Sequence, residues 1–295
     1  MTSGAVRGLK KLVTILDMIR FEHTIFAMPF ALMSCMLAAN GLPRLSVILW
    51  IIVAMVGARS AAMAFNRIAD LTYDRLNPRT RDRALPRGLL SLAEVWAFTI
   101  TSIVAFVFAA WMLNPLAFAL SPVALFIILG YSYTKRFTSL THLVLGLALG
   151  IAPVGAWIAV RGTFDLPPVV LAAGVMFWTA GFDVIYALQD LDFDREFHLF
   201  SLPRALGPRN ALFASRCFHS IAVVLFAVFG LLMNLGAVYF VGVVLAAVLL
   251  AYEQSLVKPD DLSKVDIAFF NTNGFVSMGL FIFALADLCV RKALS

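Results

Sequence analysis

Charged residues are scarce in this sequence. Asp, Glu, Lys and Arg make up 14% of its 295 residues, whereas 62% are hydrophobic. Soluble globular domains carry about 25% charged residues, so the composition excludes a water-soluble fold. Apolar runs long enough to cross a hydrocarbon layer of about 30 Å recur along the whole chain. Lipid is therefore its main solvent.

Cysteine and histidine are also rare. Cys35, Cys217 and Cys289 lie in three separate apolar segments without Cys-x-x-Cys spacing. This pattern excludes a disulfide framework and a thiolate metal site. The four histidines, His142 among them, are isolated along the chain. We assign them only structural or interfacial roles.

The apolar runs lack the alternation that membrane β-barrel strands show. Only helices and closed barrels satisfy every backbone hydrogen bond in lipid, so continuous apolar runs favour helices. The sequence therefore predicts an all-α, polytopic membrane protein with about nine transmembrane helices. The predicted spans cover residues 24–40, 45–66, 92–112, 116–133, 141–160, 168–189, 212–232, 235–252 and 266–289.

Positive charges are unevenly distributed among the predicted loops. With nine spans, most of the 23 Lys and Arg residues fall in the N-terminal segment and in the loops after spans 2, 4, 6 and 8. The positive-inside rule places that side in the cytoplasm. Topology thus explains the net charge of +6, and no nucleic-acid partner is expected. Residues 9–20, basic with one apolar face, predict an interfacial helix before the first span.

A row of polar residues ends the second predicted span. Steps of seven, four and four residues place Arg59, Asn66, Asp70 and Asp74 on one helical face. Charged groups near the centre of a span cost about 2.5 kcal/mol or more, so the row indicates a watery cavity or a bound ion. Taken alone, Asp70 and Asp74 could equally be solvated residues beyond the end of the span, neutralised by neighbouring arginines.

The same geometry recurs at the end of the sixth predicted span. Asp183, Asp190 and Asp194 follow steps of seven and four and share a face, whereas Asp192 points away. Oxygen ligands without His or Cys are typical of hard cations, and Mg²⁺ binds through one or two carboxylates plus substrate phosphates. The predicted metal ligands are Asn66, Asp70, Asp74, Asp190 and Asp194.

Two further segments could contact a diphosphate. Tyr131 and Lys135 lie one helical turn apart at the end of the fourth predicted span, where a hydroxyl and an ammonium could bind phosphate oxygens. The plain alternative is membrane anchoring by an interfacial aromatic and a cytoplasmic lysine. The turn-rich, basic loop 77–88 could close over the diphosphate as a cap that excludes water, or could serve only as an anchor.

The recurrence of the aspartate clusters four spans apart indicates an internal repeat. We predict one transmembrane domain over residues 1–295. It would contain two pseudo-repeated four-helix units, roughly 20–135 and 140–252, followed by a final helix.

These residues resemble the UbiA family of intramembrane aromatic prenyltransferases over essentially the whole chain. Asn66-x₃-Asp70-x₃-Asp74 is similar to the first aspartate motif of the family, and Asp190-x₃-Asp194 to the second. Tyr131-x₃-Lys135 lies between them in the same order. The segments 21–30, 79–88 and 252–265 are similar to the 4-hydroxybenzoate polyprenyltransferase branch.

The resemblance implies a specific reaction and site. It implies nine helices around a central cavity with a cytoplasmic cap, in the bacterial inner membrane, and two Mg²⁺ ions bridged by the diphosphate of a polyprenyl donor. Arg59 would face the carboxylate of an aromatic acid such as 4-hydroxybenzoate, and Asp183 would lie deeper than the metal motif, near that acceptor. The expected reaction forms a C–C bond and releases diphosphate in quinone biosynthesis.

Two alternatives remain at this point. A dihydroxynaphthoate acceptor of menaquinone biosynthesis would also present a carboxylate to Arg59. A secondary transporter could likewise combine intramembrane charge with repeats, although carriers place such charges near the bilayer centre on broken helices. The aspartate clusters here lie at predicted span ends.

Overall fold

The protein is described by a computed structural model. It covers residue 11, residues 13–19 and residues 26–294, with side chains described for all of these but 270 and 271. Residues 9, 10, 12 and 20 of the predicted interfacial helix lie outside this set, as do residues 21–25, which include the predicted start of the first span. Within the described residues the regular structure is helical, apart from one isolated bridge between Lys258 and Asp261.

The long helices follow the apolar runs of the sequence. Together with the six-residue helices α3 and α8, they are in chain order α1 Met28–Ala38, α2 Leu45–Ala69, α3 Leu71–Leu76, α4 Leu92–Leu113, α5 Pro115–Gly130, α6 Thr141–Arg161, α7 Leu166–Ala187, α8 Leu191–Glu196, α9 Leu202–Leu232, α10 Ala237–Leu256 and α11 Asn273–Leu294. Short 3₁₀ turns at Tyr131–Arg136 and Leu188–Asp190 and a π-helical turn at Ala268–Thr272 join some of them.

The predicted all-α membrane architecture is confirmed. Eight helices of the described chain are long and apolar enough to cross a membrane. The first predicted span is represented by the shorter helix α1. The predicted seventh span, residues 212–232, lies within α9, which begins earlier, at Leu202. The Ser201 side chain caps it by accepting a hydrogen bond from the Arg204 backbone, and a kink at Gly207 carries the basic stretch into the helix.

The long helices form a closed ring. Each packs on the next long helix along the chain, and α11 returns to pack on α1, which also packs on α6 more extensively than on α2. The ring brings the ends of α2, α5 and α7 together at one end of the bundle, where the polar residues of the sequence collect. An aromatic cluster that includes Phe30, Trp178 and Phe226 fills the interior between α1, α7 and α9.

Helices α6 and α7 approach especially closely. Gly146 and Gly150 lie one turn apart on α6, and a Cβ atom on either would overlap a backbone carbonyl of α7, that of Met176 or of Ala172. Such small-x₃-small pairs permit close helix contact in membranes. The contact fixes the register of α6 against the acidic end of α7.

Two aspartates interrupt long helices in the same way. Asp70 ends α2 and precedes the six-residue α3, with φ −94° and ψ 6°. Asp190 lies between α7 and the six-residue α8, with φ −100° and ψ 5°. At both positions the chain leaves the membrane helix, turns at an aspartate, and restarts in a short helix that carries the next acidic residue.

The loop after α3 is held over the same end of the bundle. Leu85 and Leu90 are buried in a small apolar cluster with Met18 and Ile19 from the N-terminal segment. Burial of these apolar side chains, at about 25 cal/mol per Å² of apolar surface, stabilises this position of the loop. The arginines of this loop are thereby directed toward the aspartates.

Candidate active site

One cavity collects the polar residues that the sequence singles out. It has a volume of about 260 Å³ and lies at the end of the bundle where α2 and α7 break. Its lining includes all nine predicted site residues, which are Arg59, Asn66, Asp70, Asp74, Tyr131, Lys135, Asp183, Asp190 and Asp194. The seven-and-four spacing therefore identifies residues that converge in space.

Asp190 is held by the loop after α3. Arg79 binds its carboxylate at two points, with Nε 2.9 Å from Oδ1 and a terminal nitrogen 2.5 Å from Oδ2. Asn77 donates a further hydrogen bond of 3.1 Å to Oδ1, and Arg79 also donates to the Tyr186 hydroxyl at 2.9 Å. Burial alone would lower the pKa of Arg79, but its hydrogen bonds and charge attraction with Asp190 raise it.

Asp74 is held by the same loop. Arg83 donates to both of its carboxylate oxygens, at 2.8 and 2.9 Å. Arg67, itself buried on α2, approaches Asp74 to 3.9 Å and donates to the side-chain oxygen of Asn66. The loop thus connects the two aspartate motifs, because Arg79 binds one and Arg83 the other.

Asp70 is more open than the other motif aspartates. Asn66 donates a 2.9 Å hydrogen bond to it, and Arg136 lies 3.9 Å away while stacking on Tyr133. Partial burial, together with the negative charge of Asp74, raises the pKa of Asp70 to about 6. A partly buried carboxylate beside another negative charge is stabilised by a cation next to it.

Asp194 is the most deeply buried of the motif aspartates. Its side chain is only 1% exposed, and Ser201 is the neighbour whose hydroxyl acts on it as a hydrogen-bond donor. The ammonium of Lys135 lies 3.6 Å away. Asp192, two residues earlier, is fully exposed, as its register predicts. Because buried charges are normally paired and hydrogen-bonded, Asp194 is a natural place for a further ligand.

The deeper part of the cavity carries Arg59, Tyr131 and Asp183. Asp183 precedes Asp190 by seven residues, or about 10 Å of helix rise, toward the middle of the membrane. Its Oδ2 lies 2.7 Å from Nδ1 of the fully buried His142 on α6.

A second, larger cavity adjoins this deep end. It has a volume of about 510 Å³ and is lined mainly by Ala, Gly, Leu, Ile and Val. It shares Arg59, Met63, Tyr131, Leu145 and Leu149 with the polar cavity. Along α2 it extends from Arg59 back to Ile51. A polar chamber at the helix ends therefore leads directly into an apolar chamber within the bundle.

The sequence analysis did not predict that three residues of the site pair with particular aspartates. Arg79 and Arg83 were recognised only as part of a basic loop, and His142 was assigned a structural role. No group of three or more His, Cys, Asp or Glu side chains in the described part of the chain forms a ready-made ion site. Lysine and arginine side chains instead stand beside each motif aspartate.

The fold and the site together define a helical membrane enzyme in which an acidic chamber opens into an apolar one. The model of the UbiA prenyltransferase family matches residues 27–278, and the chain belongs to that family. Membership of an enzyme family does not favour the secondary transporter.

Curated and solved proteins are similar over most of their length. The 4-hydroxybenzoate octaprenyltransferase of Nitrosospira multiformis is 31% identical, over 87% of this chain and 88% of its own. A UbiA homolog from Aeropyrum pernix K1, solved in the apo state, is 36% identical with a TM-score of 0.78, covering 92% and 98% of the two chains. A UbiA homolog from Archaeoglobus fulgidus, solved with DMAPP and Mg²⁺, is 20% identical with a TM-score of 0.73, covering 94% and 99%.

Proposed function

We propose that the protein transfers a polyprenyl group from a prenyl diphosphate to an aromatic acid of the 4-hydroxybenzoate type, in quinone biosynthesis. The observation that carries this proposal is the junction of an acidic chamber with an apolar one at Arg59 and Tyr131. The similar protein from N. multiformis is named for the same reaction class, which supports the assignment.

The four motif aspartates and Asn66 would hold Mg²⁺. Their side-chain oxygens are the donor type that hard cations prefer, and all five residues line the polar cavity. The neighbour solved with DMAPP and Mg²⁺ has the same fold. Bound between these carboxylates and the diphosphate, the metal would stabilise negative charge on the leaving group. We propose two ions, because there are two aspartate motifs.

Lys135 and Tyr131 would bind diphosphate oxygens. Both line the polar cavity from the turn that follows α5. An ammonium and a hydroxyl donate to phosphate oxygens without competing for the metal. Loop 77–88 is a candidate cap, because its side chains Arg79 and Arg83 line the polar cavity.

The acceptor would lie deeper, between Arg59 and Asp183. The Arg59 guanidinium would bind the carboxylate of the aromatic acid, and Asp183 would accept its phenolic proton. The ring carbon then forms the new C–C bond while the allylic C–O bond breaks, and diphosphate leaves with the bonding electrons. The ring C–H proton then passes to the released diphosphate, Asp183 returns the phenolic proton, and aromaticity is restored. Arg59 would orient the ring for this attack.

The isoprenoid chain would occupy the apolar cavity of about 510 Å³. Small side chains such as Ala54 and Ala58 on α2 leave room for it. An apolar wall also keeps water from the allylic cation, which would otherwise be hydrolysed.

We propose that the site faces the cytoplasm of a bacterium. The excess of Lys and Arg in the loops at this end supports that orientation. The matching backbone turns at Asp70 and Asp190 support the proposed repeat of four-helix units, because each turn follows a long helix and precedes a six-residue helix.

The decisive assay uses purified protein in detergent with Mg²⁺ and geranyl diphosphate. Each acceptor, 4-hydroxybenzoate or a dihydroxynaphthoate, is added in turn, and the products are identified by mass. Prenylated 4-hydroxybenzoate with equimolar diphosphate is the expected result. Prenylation of the naphthoate alone would move the reaction to menaquinone biosynthesis, and no prenylated product with either acceptor would overturn the proposal.

A further inference from the structure

The histidine beside Asp183 has two fixed hydrogen-bond partners. Nδ1 of His142 lies 2.7 Å from Oδ2 of Asp183, and Nε2 lies 3.2 Å from the backbone nitrogen of Leu202. His142 is fully buried. It does not line the polar cavity, whereas Asp183 does.

These partners determine the tautomer of the ring. A backbone N–H can only donate, so Nε2 must offer its lone pair to Leu202. The proton of the neutral imidazole then resides on Nδ1 and points at Asp183. Asp183 Oδ2 therefore accepts a hydrogen bond of 2.7 Å from Nδ1–H of His142.

The fold builds this arrangement from three helices. His142 lies in the first turn of α6, Asp183 lies on α7, and Leu202 is the first residue of α9. The N–H of Leu202 is one of those that every helix start leaves without an intrahelical partner. The close α6–α7 contact at Gly146, one turn from His142, brings the imidazole to Asp183.

Only one oxygen of Asp183 is engaged in this way. Within the described part of the chain, no other hydrogen bond to the Asp183 carboxylate is formed. Its side chain is 21% exposed and faces the chamber that also contains Arg59 and Tyr131. One oxygen is thus fixed from behind, and the other is left for a ligand.

We propose that His142 is a positioning residue for prenyl transfer, which holds the Asp183 carboxylate oriented toward the hydroxyl of the aromatic acceptor. This inference rests on the proposed function. Partners that orient a reactive group without touching substrate typically contribute about 10- to 100-fold to activity. The same magnitude is expected here, and it should appear in turnover with acceptor and not in affinity for the donor.

Two substitutions of similar chemistry separate positioning from packing. The amide nitrogen of Asn in His142→Asn replaces Nδ1 and keeps the donor to Asp183. The longer side chain in His142→Gln reaches toward Leu202 and loses that donor. With Mg²⁺, geranyl diphosphate and 4-hydroxybenzoate, we expect kcat to fall about 10- to 100-fold in the Gln variant and much less in the Asn variant. The KM for geranyl diphosphate should stay within about twofold in both.

A double-mutant cycle tests whether His142 acts through Asp183. In an Asp183→Asn background, His142→Gln should cause no further loss, because the carboxylate it orients is gone. An equal fold-loss in both backgrounds, or equal activity of the Asn and Gln variants, would overturn the proposal.

His219→Leu is the matched control. This buried histidine also packs on α7, at Gly181, but its ring pairs with Gln254 and does not contact Asp183. We expect it to lower the melting temperature and to leave kcat within about twofold. A loss as large as that of His142→Gln would assign the effect to packing. An inactive wild-type enzyme would instead be a failure of the proposed function, and this inference would fall with it.

Discussion

Arg79 and Asp190 form a two-point ion pair across the mouth of the acidic chamber, with nitrogen–oxygen distances of 2.9 and 2.5 Å. The guanidinium stands where the proposed function requires a cation. Arg83 bears the same relationship to Asp74. In this state, arginines of one loop neutralise both aspartate motifs.

Arg79→Gln should therefore tighten Mg²⁺ binding in the absence of substrate. The Arg79 guanidinium competes with Mg²⁺ for Asp190 through a partly exposed ion pair, which contributes about 0.5–1 kcal/mol. Its removal should lower the Kd for Mg²⁺ about two- to fivefold. Calorimetric titration of the purified protein with Mg²⁺ measures this change. Arg195→Gln is the control, because the ion pair that Arg195 forms among the described residues is with the exposed Asp192. Weaker Mg²⁺ binding by Arg79→Gln would contradict the competition.

Asp190→Ala and Asp70→Ala should each abolish product formation while the protein still inserts in membranes. Loss of one group that stabilises leaving-group charge costs about 10²- to 10³-fold, and a lost metal ligand costs at least that much. Product is measured by mass, and insertion by extraction from washed membranes.

Asp192→Asn is the matched control for the aspartate variants. Its side chain is fully exposed within the same motif. It should retain wild-type turnover, and wild-type turnover by Asp190→Ala would contradict the proposed metal site.

Arg59→Ala should weaken use of the acceptor more than use of the donor. Hydrogen bonds to charged groups contribute about 1.5–3 kcal/mol, so KM for 4-hydroxybenzoate should rise about 10- to 100-fold. The methyl ester of the acid gives a second readout. Wild type should lose efficiency with the ester, whereas Arg59→Ala should treat acid and ester alike. A rise in KM confined to the prenyl diphosphate would show that Arg59 contacts the donor and not the acceptor.

Ala54→Phe should restrict the length of the prenyl donor. The added ring enters the apolar cavity, and overpacking costs about 1–3 kcal/mol, so efficiency with long donors should fall about tenfold or more relative to geranyl diphosphate. Leu49→Phe on the exposed face of the same helix is the control. An equal loss of efficiency with short and long donors would show that the isoprenoid chain does not occupy this cavity.

The sequence was sufficient to predict features that repeat along one helix. Apolar runs indicated the spans, and steps of seven and four residues selected Asp183, Asp190 and Asp194, which line one cavity. The start of α9 at Leu202, before the predicted seventh span, depends on the Ser201 cap and not on an apolar run.

Contacts between distant segments could not be predicted in this way. His142 and Asp183 are 41 residues apart, and Arg79 and Asp190 are 111 apart. Their pairing depends on the packing of α6 on α7 and on the conformation of a turn-rich loop, neither of which has a periodic signature. The Gly146 and Gly150 pair was the available signal for the first of these contacts.

The junction of the two chambers at Arg59 and Tyr131 has a consequence for turnover. On the proposed function, the two products have opposite solubilities. Diphosphate is released at the polar end into water, while the prenylated ring, anchored by its hydrocarbon tail, partitions into the bilayer. Sorting the products into separate phases at the moment they form keeps them from meeting again, and this makes the transfer effectively one-way.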